Sequence, residues 1–292
     1  MQAFFISNIK EMNKMTKRIH AKLCPSCKRL ISDDDTKCPF CGTRYPHFAL
    51  KQFFVKLFNK DDLIFVLIMI NVFMFSVSIG LDISRIGLDI NPLNFLSPGN
   101  EALFWLGATG SIPINDYGHW WSIVTANYLH GGLLHIIMNM LALNQIGSLI
   151  VREFGAYRFW IIYTASGIFG FVLSWWMNVA FTIGASAAIC GLIGAGCYFG
   201  KSQGGDYGNA VFRDISGWII GLFLFGFLVD GINNWAHAGG LAGGIVFAFL
   251  LGYDIHSKFQ GIHRILAGLC VAATILSLVW GIGFSVYVFL IN

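Results

Sequence analysis

The chain has 292 residues, of which 56% are hydrophobic and only 12% charged, and its net charge is +4. Soluble domains carry about 25% charged residues, so a mean hydropathy of +0.66 at this length excludes one large water-soluble core and implies several membrane spans. No short apolar stretch with a small-residue cleavage site opens the chain, so no removable signal peptide is expected.

Residues 1–20 carry Lys10, Lys14, Lys17 and Arg18 and form a basic N-terminal segment, either a short helix or disordered. The next segment, 21–46, holds Cys24-Pro-Ser-Cys27 and, after ten residues, Cys38-Pro-Phe-Cys41-Gly42. Two such knuckles present four soft thiolates from two tight turns, which is what tetrahedral Zn2+ requires. The pattern resembles a small zinc ribbon with Cys24, Cys27, Cys38 and Cys41 as ligands. Four thiolates close the coordination sphere, so this Zn2+ is expected to be structural and not catalytic. Cys190, Cys197 and Cys270 fall in apolar segments, which suits buried thiols and not a disulfide framework. Residues 47–61 mix Phe and Leu with Lys51, Lys56 and Lys60 and read as a juxtamembrane linker helix. Nucleic-acid binding by the ribbon is not expected, and a cytoplasmic partner for it is left open.

Residues 62–292 form the membrane domain. Apolar runs at about 62–81, 128–149, 157–178, 184–200, 215–232, 235–252 and 264–290 predict seven spans. With the N-terminus cytoplasmic, eighteen lysines and arginines lie inside and only Arg85 lies outside. That is a strong positive-inside asymmetry, and thiolate ligands also belong in a reducing compartment. The expected protein is therefore a multi-pass one, in the plasma membrane, with a long external loop over about 82–127. This loop carries Asp82, Asp89, Glu101, Asp116, Pro92, Pro98, Pro113, Trp105, Trp120 and Trp121. It is too long for a plain connector, and its aromatics suit the outer headgroup layer.

Polar side chains inside spans are costly and mark sites by default. His135 and Asn139 stand four apart on one face of the second span. Ser186 opens the fourth span, and His237 opens the sixth. Spans two, four and six all run inward from outside, so the three sets share the outer half of the bilayer. Gly240 and Gly244 share a face with His237, while Ala187, Gly191 and Gly194 make a smooth strip beside Ser186. Small faces let helix backbones approach closely. A serine needs a base to become nucleophilic, and a neutral histidine in range supplies one. The alternatives are a packing serine bonded to its own helix, and membrane histidines serving a proton path or a metal. His130 is either interfacial or bonded to the long loop, and Glu153 and Asp230 read as solvated or structural.

Three stretches, His130-Gly-Gly-Leu-Leu-His135-Ile-Ile-Met-Asn139, Gly184-Ala-Ser186 and Ala236-His237-Ala-Gly239-Gly240 with Gly244, together resemble the signature of rhomboid intramembrane serine proteases. The resemblance covers about residues 62–290, in order and on the expected spans. It implies an all-α polytopic fold, a rhomboid-like six-helix core plus a seventh C-terminal transmembrane helix, preceded by the zinc ribbon. It implies Ser186 as nucleophile, His237 as general base, and His135 with Asn139 at the oxyanion site, with no cofactor for catalysis. The implied activity is cleavage of transmembrane substrates near the outer face of the lipid bilayer. Glu153 resembles a structural acidic residue of the family, and the long loop resembles its membrane-dipping loop. Three positions depart from the pattern. Ala187 replaces a second glycine after the serine, Ser122 follows Trp121 where the family has arginine, and Cys190 replaces an aromatic residue of some members. Ala187 supports the alternative of a weak or inactive relative that binds membrane proteins and alters their folding or turnover. A transporter is disfavoured because the spans show no internal repeat.

Overall fold

The computed structural model describes residues 21–24, 27–32, 37–42, 56–83, 87–88, 95–229, 231–254 and 259–291. The basic N-terminal segment, most of the linker helix, Arg85, Asp89, Pro92, Asp230 and Lys258 lie outside the described residues. The chain divides into two compact units, residues 1–55 and 56–292.

In the first unit, β1 (Ala21–Leu23) pairs antiparallel with β2 (Leu30–Ser32), Leu23 opposite Leu30. The strands bracket the first cysteine knuckle. The turn between them closes through Lys28 N–H to Cys24 O and Cys24 N–H to Arg29 O, both 2.9 Å.

The second unit is helical. Its long elements are α1 (Leu63–Leu81), then, beyond a long loop, α5 (Leu133–Trp176), α6 (Ser186–Gln203), α7 (Gly205–Leu228), α8 (Asn234–Leu251) and α9 (Gln260–Ile291). The loop itself holds a hairpin of β3 (Gly87–Leu88) with β4 (Phe95–Ser97), and short helices α2 (Asn100–Leu106), α3 (Ser111–Asn115) and α4 (Ser122–Thr125).

The second and third expected spans are the two halves of α5, which breaks at Gly155 with φ 79° and ψ 163°. Glycine adopts this left-handed φ at little steric cost, and a side chain does not. The second span starts at Leu133, not near 128, because Ala126–Tyr128 form a 3-10 turn and Leu129 is extended. The fifth starts at Gly205, ten residues before the apolar window, since Asp206, Asn209, Arg213 and Asp214 extend the helix in polar turns.

Among the described residues, five helices are long and apolar enough to cross a membrane: α1, α5, α7, α8 and α9. The expected fourth span, α6, is not one of them. Its side chains from Ala187 to Gly200 are buried, apart from a partly exposed Tyr198. Enclosed by α5, α7 and α8, it needs small residues for close packing more than an apolar face for lipid.

That packing runs on glycine. A Cβ on Gly240 would collide with Ala187 O, one on Gly244 with Gly191 O, and one on Gly194 with Leu241 O. On the other side of α8, a Cβ on Gly239 would lie 2.9 Å from Gly170 Cα of α5. Helices α6 and α8 thus touch backbone to backbone, as their sequences predict. Arg158, counted among the inner-loop charges, is in fact buried. It donates to Leu251 O, the last carbonyl of α8, at 3.2 Å and to Asp254 O, just beyond the helix, at 2.6 Å.

The loop between α1 and α5 packs on the bundle. Phe104, Trp105, Tyr117, His119 and Trp121 form an aromatic group that meets Phe284 of α9, with Trp105 and His119 ring centroids 5.6 and 5.8 Å from it. Burial among these rings lowers the His119 pKa and keeps that imidazole neutral.

Candidate active site

Ser186 is the first residue of α6, with Ala185 at the N-cap. The strand entering it is held from the loop side. Thr182 and Thr109 exchange both backbone hydrogen bonds, at 2.7 and 3.0 Å, and Gly184 N–H donates to Ala126 O at 2.8 Å. Gly184 has φ +126°, and a Cβ there would lie 2.8 Å from His135 Nε2. Only glycine meets both conditions. The first-turn amides of α6 have no intrahelical acceptor and carry the positive end of the helix dipole.

His237 lies in the first turn of α8, and its Nε2 stands 2.8 Å from Ser186 Oγ. The glycine contacts make this approach possible, because α6 and α8 meet without intervening side chains. When the hydroxyl donates, the neutral imidazole carries its proton on Nδ1. That atom is buried and has no hydrogen-bond partner among the described residues. No third side chain bonds that nitrogen among the described residues, and the pair stands as a candidate dyad.

His135 sits at the start of α5. The Gly131 amide donates to its Nδ1 at 3.2 Å, so the neutral ring holds its own proton on Nε2, the nitrogen beside Gly184. The Gly131 carbonyl in turn accepts Ser97 Oγ at 2.7 Å, tying β4 to the turn that orients His135. Asn139 lies one turn below and donates to His135 O at 2.9 Å. His130 is fully buried, with its ring 5.1 Å from that of His135.

The departures from the expected pattern each find a place. The Ala187 methyl packs in a small apolar cluster with Ala126, Phe171 and Ala236, and a Cβ on Gly170 would meet it at 3.2 Å. It therefore faces α5 and α8. Cys190 is buried against α8, where its Cβ would lie 3.2 Å from a Cβ on Gly240. Ser122 is buried and donates to Thr109 Oγ1 at 2.9 Å. At the opposite end, Glu153 accepts from Tyr207 at 2.6 Å and from Arg152 at 2.7 Å, joining the bend of α5 to α7.

Sequence reasoning does not single out Gly131, Ser97 or Asn233. The last has a legible signal, since an asparagine just before an apolar run marks an N-cap. The role of Ser97 has no local signal, because it lies thirty-four residues from its partner.

In the first unit, the sulfurs of Cys24, Cys27, Cys38 and Cys41 lie within 4.8 Å of one another. Cys24 and Cys41 are 3.6 Å apart, and Cys27 and Cys38 are 3.7 Å apart. Tetrahedral Zn–S bonds of about 2.3 Å imply edges near 3.8 Å, so the four thiols fit a metal. The Arg29 amide lowers the Cys27 pKa, but desolvation and its neighbours Cys24, Cys41 and Cys38 raise it to about 11.

Comparison with known proteins matches residues 117–254 to the Rhomboid domain. Rhomboid protease GluP of Bacillus subtilis is 35% identical over 190 residues, which cover 65% of this chain and 37% of that protein. RHOMBOID-like protein 4 of Arabidopsis thaliana is 33% identical, over 55% of this chain and 41% of its own length. RHOMBOID-like protein 6, mitochondrial, from the same plant is 32% identical, over 54% and 52%. The chain thus spans about a third to a half of the length of these relatives. Residues 117–254 thus carry a Rhomboid domain, set among helices long and apolar enough to cross a membrane.

Proposed function

We propose that the chain is an intramembrane serine endopeptidase that cleaves transmembrane proteins near the outer membrane face. The observation that carries this reading is the 2.8 Å approach of Ser186 Oγ to His237 Nε2. His237 Nε2 takes the hydroxyl proton as Ser186 Oγ attacks the scissile carbonyl carbon. Negative charge then gathers on the carbonyl oxygen, which needs donors in a site shielded from water. His135 Nε2–H, Asn139 and the first-turn amides of α6 are assigned that role in this reading. His237 next gives its proton to the leaving amine, and water, deprotonated by the same nitrogen, releases the acyl group from Ser186.

Orientation rests on the basic residues: a cytoplasmic N-terminus puts the mouth of the site outside. The alternative of a weak or inactive relative rests on Ala187, whose methyl is turned toward Phe171 and Ala236. Ala187→Gly is therefore expected to change the rate by less than about twofold and to cost about 1 kcal/mol through the lost buried methyl and a looser helix. Turnover of a single-span reporter and thermal melting in micelles check both. The test of the reading itself is labelling by a serine-reactive fluorophosphonate, which must disappear with Ser186→Ala.

The ribbon is proposed to hold structural Zn2+ on Cys24, Cys27, Cys38 and Cys41. Cys24→Ser is expected to drop bound zinc from about one per chain to background, since a four-thiolate site rarely survives on three. Elemental analysis of purified protein decides it; unchanged zinc would place the metal elsewhere.

A further inference from the structure

The amide of Asn233 joins three parts of the bundle. Its Oδ1 accepts the Ala236 N–H at 3.1 Å, and its own carbonyl accepts the His237 N–H at 3.2 Å, which together start α8. Its Nδ2 donates to Ser174 Oγ at 2.6 Å, near the end of α5, and to Thr182 Oγ1 at 3.0 Å. Thr182 stands four residues before Ser186 on the strand that enters α6. One side chain therefore uses both amide hydrogens and its oxygen to fasten the base-bearing helix to the strand bearing the serine. The chain of bonds continues outward: Thr182 pairs with Thr109, and Thr109 Oγ1 accepts from Ser122 Oγ. Ser174, Thr182, Thr109 and Ser122 are all buried.

We infer that Asn233 is a positioning residue for His237, and that this chain of side-chain and backbone hydrogen bonds couples the external loop to the base. The physical reason is the narrowness of the Oγ–Nε2 contact. The glycine faces set how closely α6 and α8 approach, but they are smooth, and smooth faces resist sliding poorly. The rise of one residue along α8 is about 1.5 Å, enough to break a 2.8 Å hydrogen bond. Asn233 opposes that slide from the end of the helix where His237 sits. Ser122 thereby anchors the loop with a hydroxyl at the position where the family resemblance implies arginine.

The inference rests on the dyad reading, and the experiment separates the two. Wild type, Ser186→Ala, Asn233→Ala and Asn233→Asp are purified as full chains, and fluorophosphonate labelling rates and reporter kinetics are measured on each. Asn233→Ala is expected to slow labelling and lower kcat about 10- to 100-fold, as misplacing a reacting group does, with KM within about twofold. Asn233→Asp is expected to recover to within about threefold, because aspartate caps a helix as well as asparagine and both hydroxyls can turn to donate to it. Rescue by aspartate distinguishes positioning from a general loss of folding, and melting of each variant accompanies the rates. Wild-type labelling rates in Asn233→Ala, or an Asn233→Asp variant as slow as Asn233→Ala, would overturn the inference alone. Labelling that survives Ser186→Ala would overturn the dyad reading, and the inference with it.

Discussion

Replacing Ser186 with alanine is expected to abolish cleavage of a single-span reporter, lowering kcat by at least about 10³-fold. The change removes only one oxygen, at the head of a helix whose neighbours are buried alanines and glycines. Folding and reporter binding should therefore persist, so KM and the melting temperature serve as internal controls. His237→Ala is expected to fall nearly as far. The double variant should be no worse than the worse single one, because a nucleophile and its base act as a unit. Additive losses would mean that the two side chains work separately, and residual wild-type cleavage in Ser186→Ala would remove the serine mechanism.

Gly244→Val is the second large effect. The site lies two turns from His237, and a Cβ there would collide with the Gly191 carbonyl, which is backbone and cannot rotate aside. Helices α6 and α8 must part, and overpacking of this kind costs about 1–3 kcal/mol. A separation of about 1 Å at the dyad is enough to cost about 100-fold in rate. The expected result is a fold-competent protein with a lowered melting temperature and at least that loss in kcat. Gly217→Val makes the control, since a Cβ there meets nothing within 4 Å. Equal activity of the two variants would show that the glycine contact does not set the dyad distance.

Much of the helical architecture is legible in residue type and spacing alone. Spans one, six and seven lie within a few residues of their apolar runs, because lipid-facing helices must be apolar along their length. The expected span at α6 tests that rule from the other side. Its small, glycine-rich sequence is explained by enclosure, a property of its neighbours and not of its own composition. The boundaries that shift, at Leu133 and Gly205, do so where polar or extended residues sit at helix ends. Hydropathy does not read such positions. Arg158 shows the same limit, since a charge near a helix end looks solvated until the carbonyls it caps are placed beside it.

By itself the sequence picked out the candidate reactive groups, the order of the helical segments, the asymmetry of charge and the four thiols. These depend on residue type and local spacing, and a helical repeat of about 3.6 residues per turn suffices to put His135 with Asn139 and His237 with Gly240 and Gly244 on shared faces. Only the tertiary structure decided the 2.8 Å contact between Ser186 and His237, the tautomer that Gly131 imposes on His135, the direction of the Ala187 methyl and the three-way grip of Asn233. Each of these depends on how two distant segments cross, and so on backbone contacts that no local pattern encodes.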